Sequence, residues 1–160
     1  MQRLRFFMDL SGNRELLDSS LVAFFASRTA PPEALTLATR WAHEIAEQNK
    51  VVISGFHSPI ERKVLNILLA HKRPVVVALG RALYRKVPAH MQVAFNENRI
   101  LFISYRPSSR PSLSNSQLRN WAVADLADEI IFAPFESSSQ LSTLYFTIQK
   151  SDTPVTILRE

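Results

Sequence analysis

Short clusters of arginine, serine and glycine stand at the ends of the apolar runs of this chain. They are Ser27-Arg28-Thr29, Ser54-Gly55-Phe56-His57-Ser58, Gly80-Arg81, Tyr105-Arg106-Pro107 with Arg110 close behind, and Phe135-Glu136-Ser137-Ser138-Ser139. A further pair, Arg119-Asn120, heads the helical stretch RNWAVADLAD at 119–128, which leads into the apolar run at 129–135. Guanidinium groups, hydroxyls and the free backbone N–H groups of helix starts all suit phosphate. Ser27, Arg28, Ser54, Gly55, His57, Ser58, Gly80, Arg81, Arg106, Arg110, Arg119, Asn120, Ser137, Ser138 and Ser139 are therefore the candidate phosphate or nucleic-acid ligands. A thinner set, His57, Glu61 and Glu136, offers acid–base chemistry. Each also has a plainer reading. Gly55 serves a tight turn, Ser58 and Glu61 form a helix capping box, and His57 is a solvated loop residue.

These residues need a scaffold that gathers strand ends. Apolar strands are expected at 20–26, 50–54, 74–79, 99–104, 129–133 and 153–158, with an edge strand at 4–8. Helices are expected at 31–49, 58–71, 88–96, 115–127 and 138–150. The helix at 31–49 opens on prolines and carries Leu35, Ala38, Trp41, Ala42 and Ile45 as its inner stripe. The helix at 58–71 has Ser58 as N-cap, Pro59 at its first position and Glu61 three residues after the cap. Strands that read as unbroken apolar runs, alternating with helices, indicate a parallel sheet covered on both faces. The expected fold is α/β, a doubly wound, mainly parallel, Rossmann-like sheet forming a single domain over 1–160. Its ligand crevice lies beyond the carboxyl ends of the strands.

The formal charge is +5 and the isoelectric point about 10, which favours an anionic partner. Basic residues recur at Arg81, Arg85, Lys86, Arg99, Arg106, Arg110 and Arg119. The chain has no cysteine, no secretion signal and no apolar run long enough to span a bilayer, so a cytoplasmic protein with no membrane partner is expected. With three glycines in 160 residues, and neither G-x-G-x-x-G nor G-x-x-x-x-G-K-[ST], no dinucleotide or P-loop cofactor is expected. H-E-x-x-H and G-x-S-x-G are absent too, and no metal site is expected.

Several of these segments, in order, carry a family likeness: Phe25-Ala26-Ser27-Arg28, Ser54 to Glu61, Ala78 to Tyr84 followed by Val87-Pro88, Ser104 to Pro107, Arg119 to Asp128, and Ser137 to Ser139 with Ser142. Together they resemble, over about 21–158, the central Rossmann-like domain of the DprA (Smf) family of DNA-processing proteins. The likeness places the chain in a wider superfamily that includes cytokinin-activating phosphoribohydrolases and a molybdenum-cofactor carrier. It departs from the family pattern at Phe56 and Pro59, which replace loop glycines, at Trp121, which replaces an arginine, and at Ser116-Gln117-Leu118, which replaces a Phe-Pro pair. The segment Ala133 to Ser138 lacks the glycine-rich motif of the phosphoribohydrolases. Neither the N-terminal helical domain nor the winged helix of many family members is expected.

The resemblance implies binding of single-stranded DNA, or of a nucleotide, in DNA uptake and recombination, with a recombinase partner and a homodimer as further expectations. Arg28 and Arg119 would contact phosphate, Arg81, Arg106 and Arg110 would extend the track, and Trp121 or Phe56 would stack on a base unless buried in the core. Two alternatives stay open. One is a nucleotide-binding sensor or nucleoside-monophosphate-hydrolysing enzyme using His57, Glu61 and Glu136. The other is a scaffold that dimerises through its outer helices or sheet edge.

Overall fold

A computed structural model describes residues 8–105, 113–149 and 151–160. Its seven strands are β1 Asp9–Gly12, β2 Leu21–Phe25, β3 Val51–Ser54, β4 Val75–Leu79, β5 Ile100–Ser104, β6 Glu129–Phe132 and β7 Val155–Ile157. The helices are α1 Glu33–Ile45, α2 Pro59–Ala70, α3 Gln92–Asn96, α4 Leu113–Leu126 and α5 Gln140–Ile148. The strands form one sheet in the order β1-β5-β4-β3-β2-β6-β7, parallel except for β1, which pairs antiparallel with β5.

Alternation along each strand explains the unbroken apolar runs. Val22 and Phe24 face one hydrophobic layer with α1, α2 and α3, while Leu21, Ala23 and Phe25 face the other with α4 and α5. Val75, Val77 and Leu79 of β4 divide from Val76 and Ala78 in the same way. Both faces are dry, so neither needs polar residues. Trp41 of α1 anchors the first layer, its ring stacked on Phe24 with centroids 4.9 Å apart. In the second, Phe132 contacts Phe25, Phe135 and Tyr145.

The doubly wound α/β expectation matches this architecture, with adjustments in detail. The α1 stripe is Ala34, Leu37, Ala38, Trp41, Ala42 and Ile45, and Leu35 lies off it at 48% exposure. The described edge strand is Asp9–Gly12, later than the 4–8 expected, and residues 4–7 lie outside the description. A short 3-10 helix, Arg14–Asp18, packs Leu16 and Leu17 under the sheet.

Strand order fixes where a ligand goes. From β2 the chain moves outward through β3, β4 and β5, then returns to place β6 on the other side of β2. The loops after β2 and β6 therefore diverge, leaving a crevice at this topological switch point. The return segment α4 packs across β2, β3 and β4 on the second face. That crossing carries Arg119 to the carboxyl-end rim.

Candidate anion-binding site

The rim is built around a buried carboxylate. Glu61, in the first turn of α2, is 4% exposed and accepts three backbone N–H groups. Its Oε1 accepts from His57 at 2.9 Å and Ser58 at 3.1 Å, and its Oε2 from Ala26 at 3.1 Å. The Ser58 hydroxyl donates to the Ala26 carbonyl at 2.7 Å and accepts from the Glu61 N–H at 3.4 Å. The capping box expected for α2 is thus also a clamp, fastening the end of β2 to the β3–α2 turn. The turn itself is closed by Ser54, whose fully buried hydroxyl accepts from the Phe56 N–H at 3.1 Å. Phe56 takes a left-handed backbone, φ 47°, and turns its ring into the α1–α2 core.

Arg119 lies over this turn. It is the seventh residue of α4, so the Arg-Asn pair sits mid-helix rather than at the helix start. Its side chain reaches the rim because Gly55 leaves room, whereas a Cβ on Gly80 would make only ordinary contact. A Cβ on Gly55 would stand 2.6 Å from Arg119 Nε and 2.7 Å from Cζ, and one on Gly80 would stand 3.6 Å from Nη1. The close approach that Gly55 permits is therefore first of all that of a guanidinium. Arg119 is 8% exposed, and its Nε donates to Asn120 Oδ1 at 3.2 Å. No described carboxylate lies within ion-pairing distance of it. Burial lowers its pKa and the charge of Glu61 opposes the shift, yet an arginine stays cationic at neutral pH.

Arg119, His57 and Ser116 separate two neighbouring cavities. The first, about 570 Å³, is the switch-point crevice, walled by Ser27, Arg28, Ser58, Asn120, Ser138 and Ser139 among others. The second, about 500 Å³, lies between the β3 and β4 turns, with Gly55, Gly80, Arg81, Tyr84 and His90 in its wall. Arg28 and Arg119 thus face one crevice, with His57 between them. Arg28 Nη2 approaches His57 Nε2 at 3.5 Å. The imidazole pKa is lowered by burial first, then by the charges of Arg119 and Arg28, with a smaller opposing effect of Glu61.

Comparisons with known proteins give the family and the fold. The family model for DNA recombination-mediator protein A matches residues 4–156. The chain belongs to that family. In fold it is similar to DNA processing protein A from Helicobacter pylori, described for its single-stranded DNA binding mode, with 21% identity and a TM-score of 0.76. That likeness covers 96% of this chain and 72% of the other. DNA processing protein A (DprA) from Streptococcus pneumoniae is similar at 20% identity and TM-score 0.75, covering 94% of this chain and 54% of its own. The molybdenum cofactor carrier protein of Chlamydomonas reinhardtii shares the fold more loosely, with 9% identity, TM-score 0.58, and coverage of 87% and 76%. No curated protein sequence matches the chain.

Within this family framework the candidate residues separate. Ser27 and Ser139 meet across the crevice, hydroxyl to hydroxyl at 3.2 Å, and Ser139 caps α5 by accepting from the Leu141 N–H. Ser138 lines the same wall, while Ser137 and Glu136 are exposed and outside both cavities. Arg81 is held by its own turn, its Nε donating to the Ala82 carbonyl and its guanidinium lying 4.8 Å from the Tyr84 ring centroid. Arg99 leaves the basic track, because it precedes β5 at the opposite end of the sheet and pairs with Glu97 at 2.7 Å. Arg106 and Arg110 lie outside the described residues. One stacking candidate is corrected, since Phe56 is core, and for Trp121 it is the competing burial reading that fails, because it is 41% exposed. Trp121 lines a largely apolar cavity between α4 and α5. Among the described residues no three metal-ligating side chains cluster. The sequence reading missed Ser116, which lies one helical turn before Arg119 and so on the same face.

Proposed function

We propose that the protein binds single-stranded DNA through its phosphodiester backbone, laid in the switch-point crevice between Arg28 and Arg119. Arg81 continues the track across the second cavity. One observation carries this reading: a buried guanidinium, unpaired with any described carboxylate, forms a wall common to both cavities. Keeping such a cation desolvated is unfavourable unless an anion arrives, and charge-assisted bonds to phosphate then offset the cost. The single-stranded DNA binding named for the Helicobacter pylori relative supports the same assignment. We place this activity in DNA uptake and recombination in the cytoplasm, acting with a recombinase partner and as a homodimer. The hydrolytic alternative has less support, because three backbone N–H groups already occupy the Glu61 carboxylate.

The test is an anisotropy titration with an oligothymidylate over a range of salt. Affinity should fall steeply with salt, by a slope of about 0.7 in log–log terms per neutralised phosphate on a single strand. In the Arg28→Ala/Arg119→Ala variant both the affinity and about two contacts' worth of slope should go. Absence of binding at low salt, or full affinity in the double variant, would overturn the proposal.

A further inference from the structure

His57 occupies the position in the crevice where its ring Nε2 and an entering phosphate would draw on the same Arg28 guanidinium. Its backbone N–H is pinned by Glu61, so the ring is held at the partition between the two cavities. Arginine can only donate, so the contact from Arg28 Nη2 makes His57 Nε2 the acceptor and leaves the ring hydrogen on Nδ1. The free site therefore holds a neutral imidazole among cations. Arg28 comes from the β2–α1 loop, Arg62 from α2 and Arg119 from α4, with Arg81 and His90 farther along the second cavity. Glu61 supplies the opposing charge, and the start of α5 contributes only Ser138, Ser139 and Gln140 to the wall.

Resting on the binding mode proposed above, we propose that His57 takes up one proton from solvent as a phosphodiester enters the crevice, changing from an acceptor for Arg28 into a third cationic donor to the ligand. Burial is the first cause of the ring's neutrality and the arginine charges the second; the ligand's negative charge engages Arg28 and Arg119, offsets that second cause, and offers Nε2–H an oxygen acceptor. The sign follows from linkage. A complex that binds one more proton than its separated components gains affinity as pH falls. The association constant rises up to tenfold per pH unit while the free ring is neutral and the bound ring is charged.

The experiment uses the whole chain and an oligothymidylate with hydroxyl ends and a pH-insensitive rhodamine label, so that the probe itself does not titrate. Anisotropy is followed from about pH 5 to pH 8 at constant ionic strength. Affinity should rise several-fold as pH falls, His57→Asn should bind with that slope removed, and His43→Asn, on the outer face of α1, should keep it. In the NMR spectrum the His57 ring should titrate at a higher midpoint with oligonucleotide than without. Binding with a flat pH profile, a full slope in His57→Asn, or equal midpoints would overturn the proton coupling while leaving the crevice reading intact. Absence of binding at every pH would overturn the crevice reading itself.

Discussion

Replacing Gly55 with alanine separates binding from folding in this protein. The new methyl group would stand 2.6, 2.7 and 2.9 Å from Nε, Cζ and Cδ of Arg119, where ordinary contact begins near 3.4 Å. The guanidinium must therefore retreat by about 0.8 Å. It is the far end of a flexible side chain with no described carboxylate to pin it, so an off-rotamer displacement costs about 0.5–1.5 kcal/mol. Gly55 is not among the positive-φ residues, so alanine fits its backbone and restricts the unfolded chain by about 0.4–1 kcal/mol in compensation. The two effects nearly cancel, and the melting temperature should stay within about 4 °C of the parent. Binding has no such offset. Losing one charge-assisted contact of about 1.5–3 kcal/mol weakens oligothymidylate binding by roughly 10- to 150-fold. Calorimetric melting and anisotropy on the same preparation measure the pair. A folded Gly55→Ala protein with unchanged affinity would show that Arg119, where it lies, does not touch the ligand.

Glu61→Gln attacks the clamp instead. An amide has one accepting oxygen, so at least one of the buried N–H groups of Ala26, His57 or Ser58 meets an NH₂, at a cost of about 1–3 kcal/mol. The melting temperature should fall by about 2–12 °C, and an unchanged value would refute the clamp. The two tryptophans should differ in solvent access. Iodide should quench a Trp41→Phe protein, which retains the exposed Trp121, far more than a Trp121→Phe protein, which retains Trp41 stacked on Phe24. Equal quenching would place Trp121 in the interior.

Much of the scaffold was legible because its signals are local. Unbroken runs such as VVVAL at β4 and ILFIS at β5 announce a sheet dry on both faces, and Ser58-Pro59-Ile60-Glu61 announces a helix start. β1 was harder, since Asp9–Gly12 has no apolar pattern and exists as a strand through its pairing with β5. At the site, sequence placed Arg28 and His57 at strand ends and Arg119 at a helix start. It could not show that Glu61 reaches back 35 residues to the Ala26 N–H, or that Gly55 makes space for the Arg119 side chain. Those relations join segments far apart in the chain, and no local spacing encodes them. Trp121 and Phe56 went astray for the same reason. Which aromatic is buried depends on how α4 and the β3–α2 turn lie on the sheet, not on their residue types.

The left-handed turn at Phe56 also bears on how this crevice can evolve. Its backbone carries a penalty of roughly 1–2 kcal/mol that glycine would remove. Yet the ring plugs the α1–α2 layer at 5% exposure, and emptying such a site costs about 3–5 kcal/mol. A single Phe56→Gly step is thus uphill by roughly 1–4 kcal/mol unless neighbours such as Leu65 grow to fill the gap first. The aromatic plug acts as a ratchet: the residue that strains the turn also fills the layer beneath it, so the strain cannot be relieved without opening a hole.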